Sequence, residues 1–154
     1  MKTTSNTTGG YAVSHEPSWA VQSEGPSTVL MPSTTPADPA NPEFYGFSAV
    51  PWNGRGALQE PANTELAVRE LLADAPGLRR DGAAEKIDGG GILVRCSGEV
   101  NGRTMRLLVF ARTIDSKLIG LVVTGDDATI EKRAQVARTL YATLRKPDAA
   151  AMAA

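Results

Sequence analysis

Apolar and polar positions alternate most regularly between residues 91 and 146, where the pattern predicts three antiparallel strands closed by a helix. Asn101-Gly102 sets the register. A two-residue type I′ turn needs φ > 0 at both central positions, and Asn-Gly tolerates this best. Such a turn pairs Val100 with Arg103. Gly98 then faces Met105, Cys96 faces Leu107, Val94 faces Val109 and Ile92 faces Ala111, all small or apolar. The other face receives Glu99 with Thr104, Ser97 with Arg106, Arg95 with Leu108 and Leu93 with Phe110. A slip of one residue would mix the two sets, so pattern and turn agree on one register.

The next strand, 118–124, carries Ile119, Leu121 and Val123 on one side. A two-residue turn at Asp115-Ser116 would set Val109 opposite Val122 and send those three to the far face. A three-residue loop over 114–116 sets Val109 opposite Leu121 and Leu107 opposite Val123, and is the turn expected. Asp126 is placed to cap the helix that follows, with Glu131 in its first turns. Ile130, Ala134, Ala137, Tyr141 and Leu144 recur at helical spacing, joined by Leu140, while Lys132, Arg133, Arg138 and Arg145 lie elsewhere. This helix is expected to cover the face of Ile92, Val94, Cys96, Met105, Leu107, Val109, Ile119, Leu121 and Val123.

Upstream the pattern is weaker. Residues 1–10 are polar and read as a flexible N-terminus. Weak alternation at 11–13 and 19–22 predicts a first strand interrupted near Pro17, with 29–31 able to pair with it. Residues 32–42 hold Pro32, Pro36, Pro39 and Pro42 and form a loop, since proline removes ladder donors. Residues 44–50 read as a strand and 52–56 as a turn. Asn63 or Thr64 starts a helix that runs to about Ala75 and stops at Pro76-Gly77. A short strand falls within 78–88. Residues 147–154, led by Pro147 and rich in alanine, read as a flexible C-terminus. The outer hairpin residues Leu93, Leu108 and Phe110 call for a second cover, most simply the 64–75 helix. The result is an α+β fold, a mainly antiparallel sheet with helices on both faces, in a single domain over 11–146.

That order resembles the PsbP/Mog1-like family of α/β/α sandwiches. The resemblance rests on Glu16-Pro17-Ser18-Trp19 near the start, the 64–75 helix, the Arg95–Gly102–Val109–Val123 meander and the final helix. The long proline loop departs from the compact family pattern. The ion-binding side chains of the photosystem members and the Ran-binding surface of the nuclear-import members find no counterparts, so neither function carries over. What the resemblance implies is a domain that works by binding.

Composition narrows the classes. With 16 basic and 17 acidic residues there is no excess for a nucleic-acid partner, and no apolar run approaches a membrane span. Residues 1–63 hold 2 basic and 5 acidic groups, so charge concentrates in the packed part. The 11 arginines against 5 lysines point to a GC-rich bacterial genome. No signal-peptide pattern opens the chain, so a cytoplasmic location is expected unless the sequence is already processed. Cys96 is the only cysteine, and its inward position makes it a small core residue.

Catalytic chemistry finds little footing. His15 is the sole histidine, which removes histidine dyads and clusters, and it reads as a surface residue. A metal-dependent hydrolase would use Asp126, Asp127 and Glu131, but helix capping accounts for the same carboxylates. The Gly89-Gly90-Gly91 run lacks a phosphate-loop context. No cofactor and no metal site is expected. The remaining signal is aromatic: Trp19, Phe44, Tyr45, Phe47 and Trp52, with Arg55 beside them, fall in a proline-rich, charge-poor stretch. Aromatic loops make good contact surfaces, so these six are the candidate partner-binding residues. The sequence thus predicts a non-catalytic interaction protein, an accessory subunit or adaptor with a protein partner. An effector chaperone sheltering apolar segments is the alternative.

Overall fold

The chain folds as β1 (Lys2–Asn6), β2 (Tyr11–His15), β3 (Ala20–Glu24), β4 (Ser27–Met31) and β5 (Tyr45–Pro51). Helix α1 (Pro61–Leu71) and the short β6 (Arg79–Arg80) and β7 (Glu85–Lys86) follow. The meander is β8 (Ile92–Val100), β9 (Arg103–Ile114) and β10 (Lys117–Gly125), succeeded by α2 (Ile130–Ala142) and α3 (Ala149–Ala153). The computed structural model describes residues 1–53, 56–72, 77–87, 90–100 and 102–153.

The β8–β9 register follows the turn argument at all nine pairs, from Ile92 opposite Ala111 to Val100 opposite Arg103. Asn101 lies outside the described residues; Gly102 has φ +76°, as the turn requires. The β9–β10 connection differs from expectation. It is the two-residue turn at Asp115-Ser116, with Asp115 at φ +56°, and it sets Val109 opposite Val122 and Phe110 opposite Leu121. Ile119, Leu121 and Val123 therefore share a face with Leu108 and Phe110. Both faces of the meander are apolar, so polarity alone does not distinguish the two registers.

One antiparallel sheet takes the order β3-β4-β5-β10-β9-β8-β6, with β7 also paired to β8. Its faces are covered by helices, though the other way round from the expectation. Helix α2 lies over Leu93, Leu108, Phe110, Ile119, Leu121 and Val123. Ile92, Val94, Cys96, Leu107, Val109 and Leu118 pack with Leu58 and Ala67 on the α1 side. Burial pushes the Cys96 thiol up from its ordinary pKa, as suits an inert core sulfur. Met105 is half-buried rather than core.

The first ten residues are not loose. β1 pairs with β2 in a separate two-stranded sheet. Asn6, 5% exposed, donates to the carbonyls of Gly25 (3.1 Å) and Ser27 (3.3 Å), tying this sheet to the β3–β4 turn. The 11–13 and 19–22 segments are thus strands of different sheets, and only the second pairs with 29–31. Helix α1 begins earlier than expected, with Pro61 in its first turn, where a missing N–H costs nothing. Asn63 and Thr64 sit inside that turn and donate to the carbonyls of Ala57 (2.9 Å) and Leu58 (2.6 Å). The predicted stop at Pro76 lies outside the described residues. The alanine-rich stretch forms α3, with Asp148 accepting the Ala151 N–H at 2.8 Å.

Candidate functional site

The six candidate residues do not form one surface. Tyr45 and Phe47 point to the α2 face, are 0% and 1% exposed, and stack on Trp19 and Tyr11 with centroids 5.6 and 6.0 Å apart. They are core residues in this fold, because β5 lies inside the sheet between β4 and β10 and its odd positions meet Leu121 and Val123. Burial raises the Tyr45 phenol well above its ordinary value, and the Glu43 carboxylate accepting its O–H at 2.6 Å adds to this. Trp19, Phe44 and Trp52 are half-buried. Phe44 precedes β5 and Trp52 follows it, which separates them by roughly 25 Å at the rise of an extended strand. Arg55 lies outside the described residues.

At the Trp52 end, the Trp52 N–H donates to Ser116 O (2.9 Å), fastening the loop after β5 to the β9–β10 turn. A cleft of about 600 Å³ opens there, lined by Trp52, Leu58, Gln59, Gly91, Arg112 and Asp115. Gly91 has φ +100°, and a Cβ on it would fall 2.4 Å from Ala111 O, so only glycine fits this wall.

At the Phe44 end, the proline loop lies beside the start of α2. Residues 33–40 are exposed, yet Asn41 is buried. Arg133, 8% exposed, donates to Asn41 Oδ1 (3.0 Å), Asn41 O (2.8 Å), Pro42 O (3.1 Å) and Thr124 O (2.9 Å). Asn41 in turn donates to Thr129 Oγ1 at 3.1 Å. Arg103 bridges Asp38 in the loop to Asp126. The segment is held from within the chain, and a second cleft of about 480 Å³ separates its outer part from α2.

The proposed metal carboxylates do not converge. Asp126 accepts the N–H (3.1 Å) and hydroxyl (2.8 Å) of Thr129, Asp127 pairs with Arg106 (2.7 Å), and Glu131 reaches Arg95 (3.4 Å). Thr129 foremost, with Arg103, holds the Asp126 pKa below the usual carboxylate value. Among the described residues no three His, Cys, Asp or Glu side chains are grouped to hold a metal ion.

Besides Tyr45 and Phe47, two residues lie elsewhere than the sequence places them. His15 is fully buried, its ring within 2.6 Å of Thr4 Oγ1 and 2.8 Å of Glu16 O, because β1 covers it. Arg133 is the second. It stands three residues after Ile130 and four before Ala137, on the apolar stripe, and that spacing was the available signal. Arg112, on the cleft wall, carried no signal at all.

No family model matches the chain, and no curated protein matches its sequence significantly. Solved structures do match its fold. The Saccharomyces cerevisiae Ran-binding protein Mog1p aligns with TM-score 0.64 at 8% identity, covering 97% of this chain and 96% of that one. The cyanobacterial PsbP of Synechocystis sp. PCC 6803 aligns with TM-score 0.51 at 14% identity, covering 95% and 92%. A Bacteroides thetaiotaomicron structure aligns with TM-score 0.52 at 12% identity over 92% of this chain, which spans only 46% of that protein. Among the described residues no helix is long and apolar enough to cross a membrane. The chain has the PsbP/Mog1-like fold, an antiparallel sheet between helices.

Proposed function

We propose that the chain is a non-catalytic protein–protein interaction module, an accessory subunit or adaptor of a larger bacterial assembly. The observation that carries this reading is Trp52, an indole only half-buried at the rim of a cleft of about 600 Å³. Aromatic anchors at such clefts supply most of the binding energy of protein interfaces, because they bury large area at low entropic cost. Trp19, Phe44 and Arg55 complete the proposed contact set, with Trp19 and Phe44 at a separate place. One structural neighbour, Mog1p, is a Ran-binding protein, which supports a binding role and does not name this chain's partner. The chaperone alternative draws less support, since the large exposed hydrophobics among the described residues are only Met1 and Met152.

Affinity capture from the native cell with the tagged full chain tests the reading. The wild-type chain should retain a partner that Trp52→Ala retains at least about tenfold less, as loss of an aromatic anchor does. An equal yield of the same partner with both baits would overturn it.

A further inference from the structure

Two arginines stand at one apolar cavity without a tight carboxylate partner. Phe110, Arg112 and Ile114 alternate along β9 and so point to the α2 face. Phe110 is fully buried against Tyr141, ring centroids 5.4 Å apart. With Ile87 these rings floor a cavity of about 140 Å³, and Arg112 and Arg138 also line it. A cavity near 150 Å³ admits a benzene-sized group.

The two charges are only loosely engaged. Arg138 lies 6.0 Å from the Phe110 ring centroid, and its carboxylate partner Glu85 is 3.9 Å away, beyond hydrogen-bonding distance. Glu85 is already engaged at 3.0 Å by Arg95. Half-buried Arg112 has no hydrogen bond or ion pair among the described residues. Guanidinium groups bind carboxylates with paired N–H donors, and more strongly where water is partly excluded.

The cavity shares Arg112 and Gly90 with the Trp52 cleft. A ligand filling both would carry an anionic group and an apolar group a few atoms apart, followed by an extended stretch. The last residue of a polypeptide presents that combination. We propose that the cavity captures the free C-terminal carboxylate of a partner chain whose last side chain is aliphatic or aromatic, with the preceding residues lying along the Trp52 cleft. This assignment rests on the interaction reading above and specifies its chemistry.

Calorimetry on the full chain tests it with three probes. These are an acetylated glycine-serine hexapeptide ending in leucine as the free acid, the same peptide as the C-terminal amide, and 4-methylpentanoate. The free acid should bind, and the amide at least about tenfold more weakly. Arg112→Gln and Arg138→Gln should each weaken the free acid at least about tenfold with a melting temperature close to wild type, since among the described residues neither side chain makes a hydrogen bond and Arg138 keeps only a long, half-exposed ion pair with Glu85. 4-Methylpentanoate should bind more weakly than the peptide; equal affinity would make this a small-acid site and overturn the chain-end assignment. Equal binding of acid and amide, no heat from any probe at millimolar concentration, or indifference to both substitutions would overturn it entirely. If the peptides fail while Trp52→Ala still loses the captured partner, only this inference falls. If Trp52→Ala keeps the partner, the broader reading falls.

Discussion

The two faces of the sheet differ in the buried aromatic rings they carry. Under α2 the strands present Tyr45, Phe47, Phe110, Leu108 and Leu121, and the β1–β2 sheet adds Tyr11 and Val13. Under α1 they present Ile92, Leu107 and Leu118 with Val94, Val109, Cys96 and Ala111, met by Leu58 and Ala67, and no buried aromatic ring. A face that carries rings needs a deep cover, which α2 provides with Ile130, Leu140 and Tyr141, joined by Leu144 just beyond the helix. A face without rings lets a helix approach closely where the strand carries glycine: a Cβ on Gly120 would fall 2.5 Å from Leu71 Cδ2. Both faces count as apolar in a pattern of hydrophobic positions. They differ in their rings, and the rings lie under α2.

That difference marks where the sequence is legible. The β8–β9 register is legible because a local turn and a period-two pattern each fix it independently. The side that each helix covers is not local, since it depends on volumes brought together across the chain. The β9–β10 turn failed for the same reason: assigning Ile119, Leu121 and Val123 to the Val109 face forced an extra loop residue. Among the site residues, Tyr45 and Phe47 look identical to Phe44 and Trp52 in composition. Only the place of β5 inside the sheet separates core from rim. Arg112 is invisible from sequence, because a lone arginine on a strand carries no sign of whether its charge is paired.

The inequality of the faces should show first in truncations. Phe110→Ala, which empties the α2 face at its centre, should cost about 3–5 kcal/mol in urea unfolding. Leu107→Ala, on the α1 face and 8% exposed, should fall near the low end of about 2–5 kcal/mol. If Leu107→Ala proves the costlier, the faces are not unequal in the sense argued.

Arg133 joins the α2 layer to the proline loop, so its removal tests a polar link within the larger face. Arg133→Ala leaves the buried oxygens of Asn41 without a donor and should cost about 2–3 kcal/mol, as lost hydrogen bonds to a charged group do. It should also make residues 32–42 the first site of limited proteolysis. Deleting 33–40, which spares Asn41, should leave stability within about 1 kcal/mol of wild type, because shortening an exposed loop costs little. Equal losses from the two changes would mean that the loop packs through residues other than Asn41.

On the other side, close approach can be probed by adding one carbon. Gly120→Ala should cost about 1–2 kcal/mol, since the obstructing atoms are the flexible end of Leu71 and can move aside. The loss should shrink in a Leu71→Ala background. If the two losses simply add, α1 does not rest on that position and the narrow-face description fails.

The smallest effect concerns the start of α2 and is read through pH. Asp126 is held below its ordinary pKa, first by Thr129 and then by Arg103, so the folded chain binds this proton less readily than the unfolded chain. Its contribution is therefore complete above the ordinary aspartate value of about 3.9 and is lost as pH falls through the lowered native value. Asp126→Asn removes the titration and keeps an oxygen that can accept the Thr129 N–H. The melting temperature of the variant should lie slightly below wild type near neutral pH, and the two curves should converge as the pH drops well below about 4. A constant offset across that range would assign the effect to shape alone. The carboxylate would then add no charge-dependent hold on the α2 side, and the larger face would be secured by its apolar packing and Arg133.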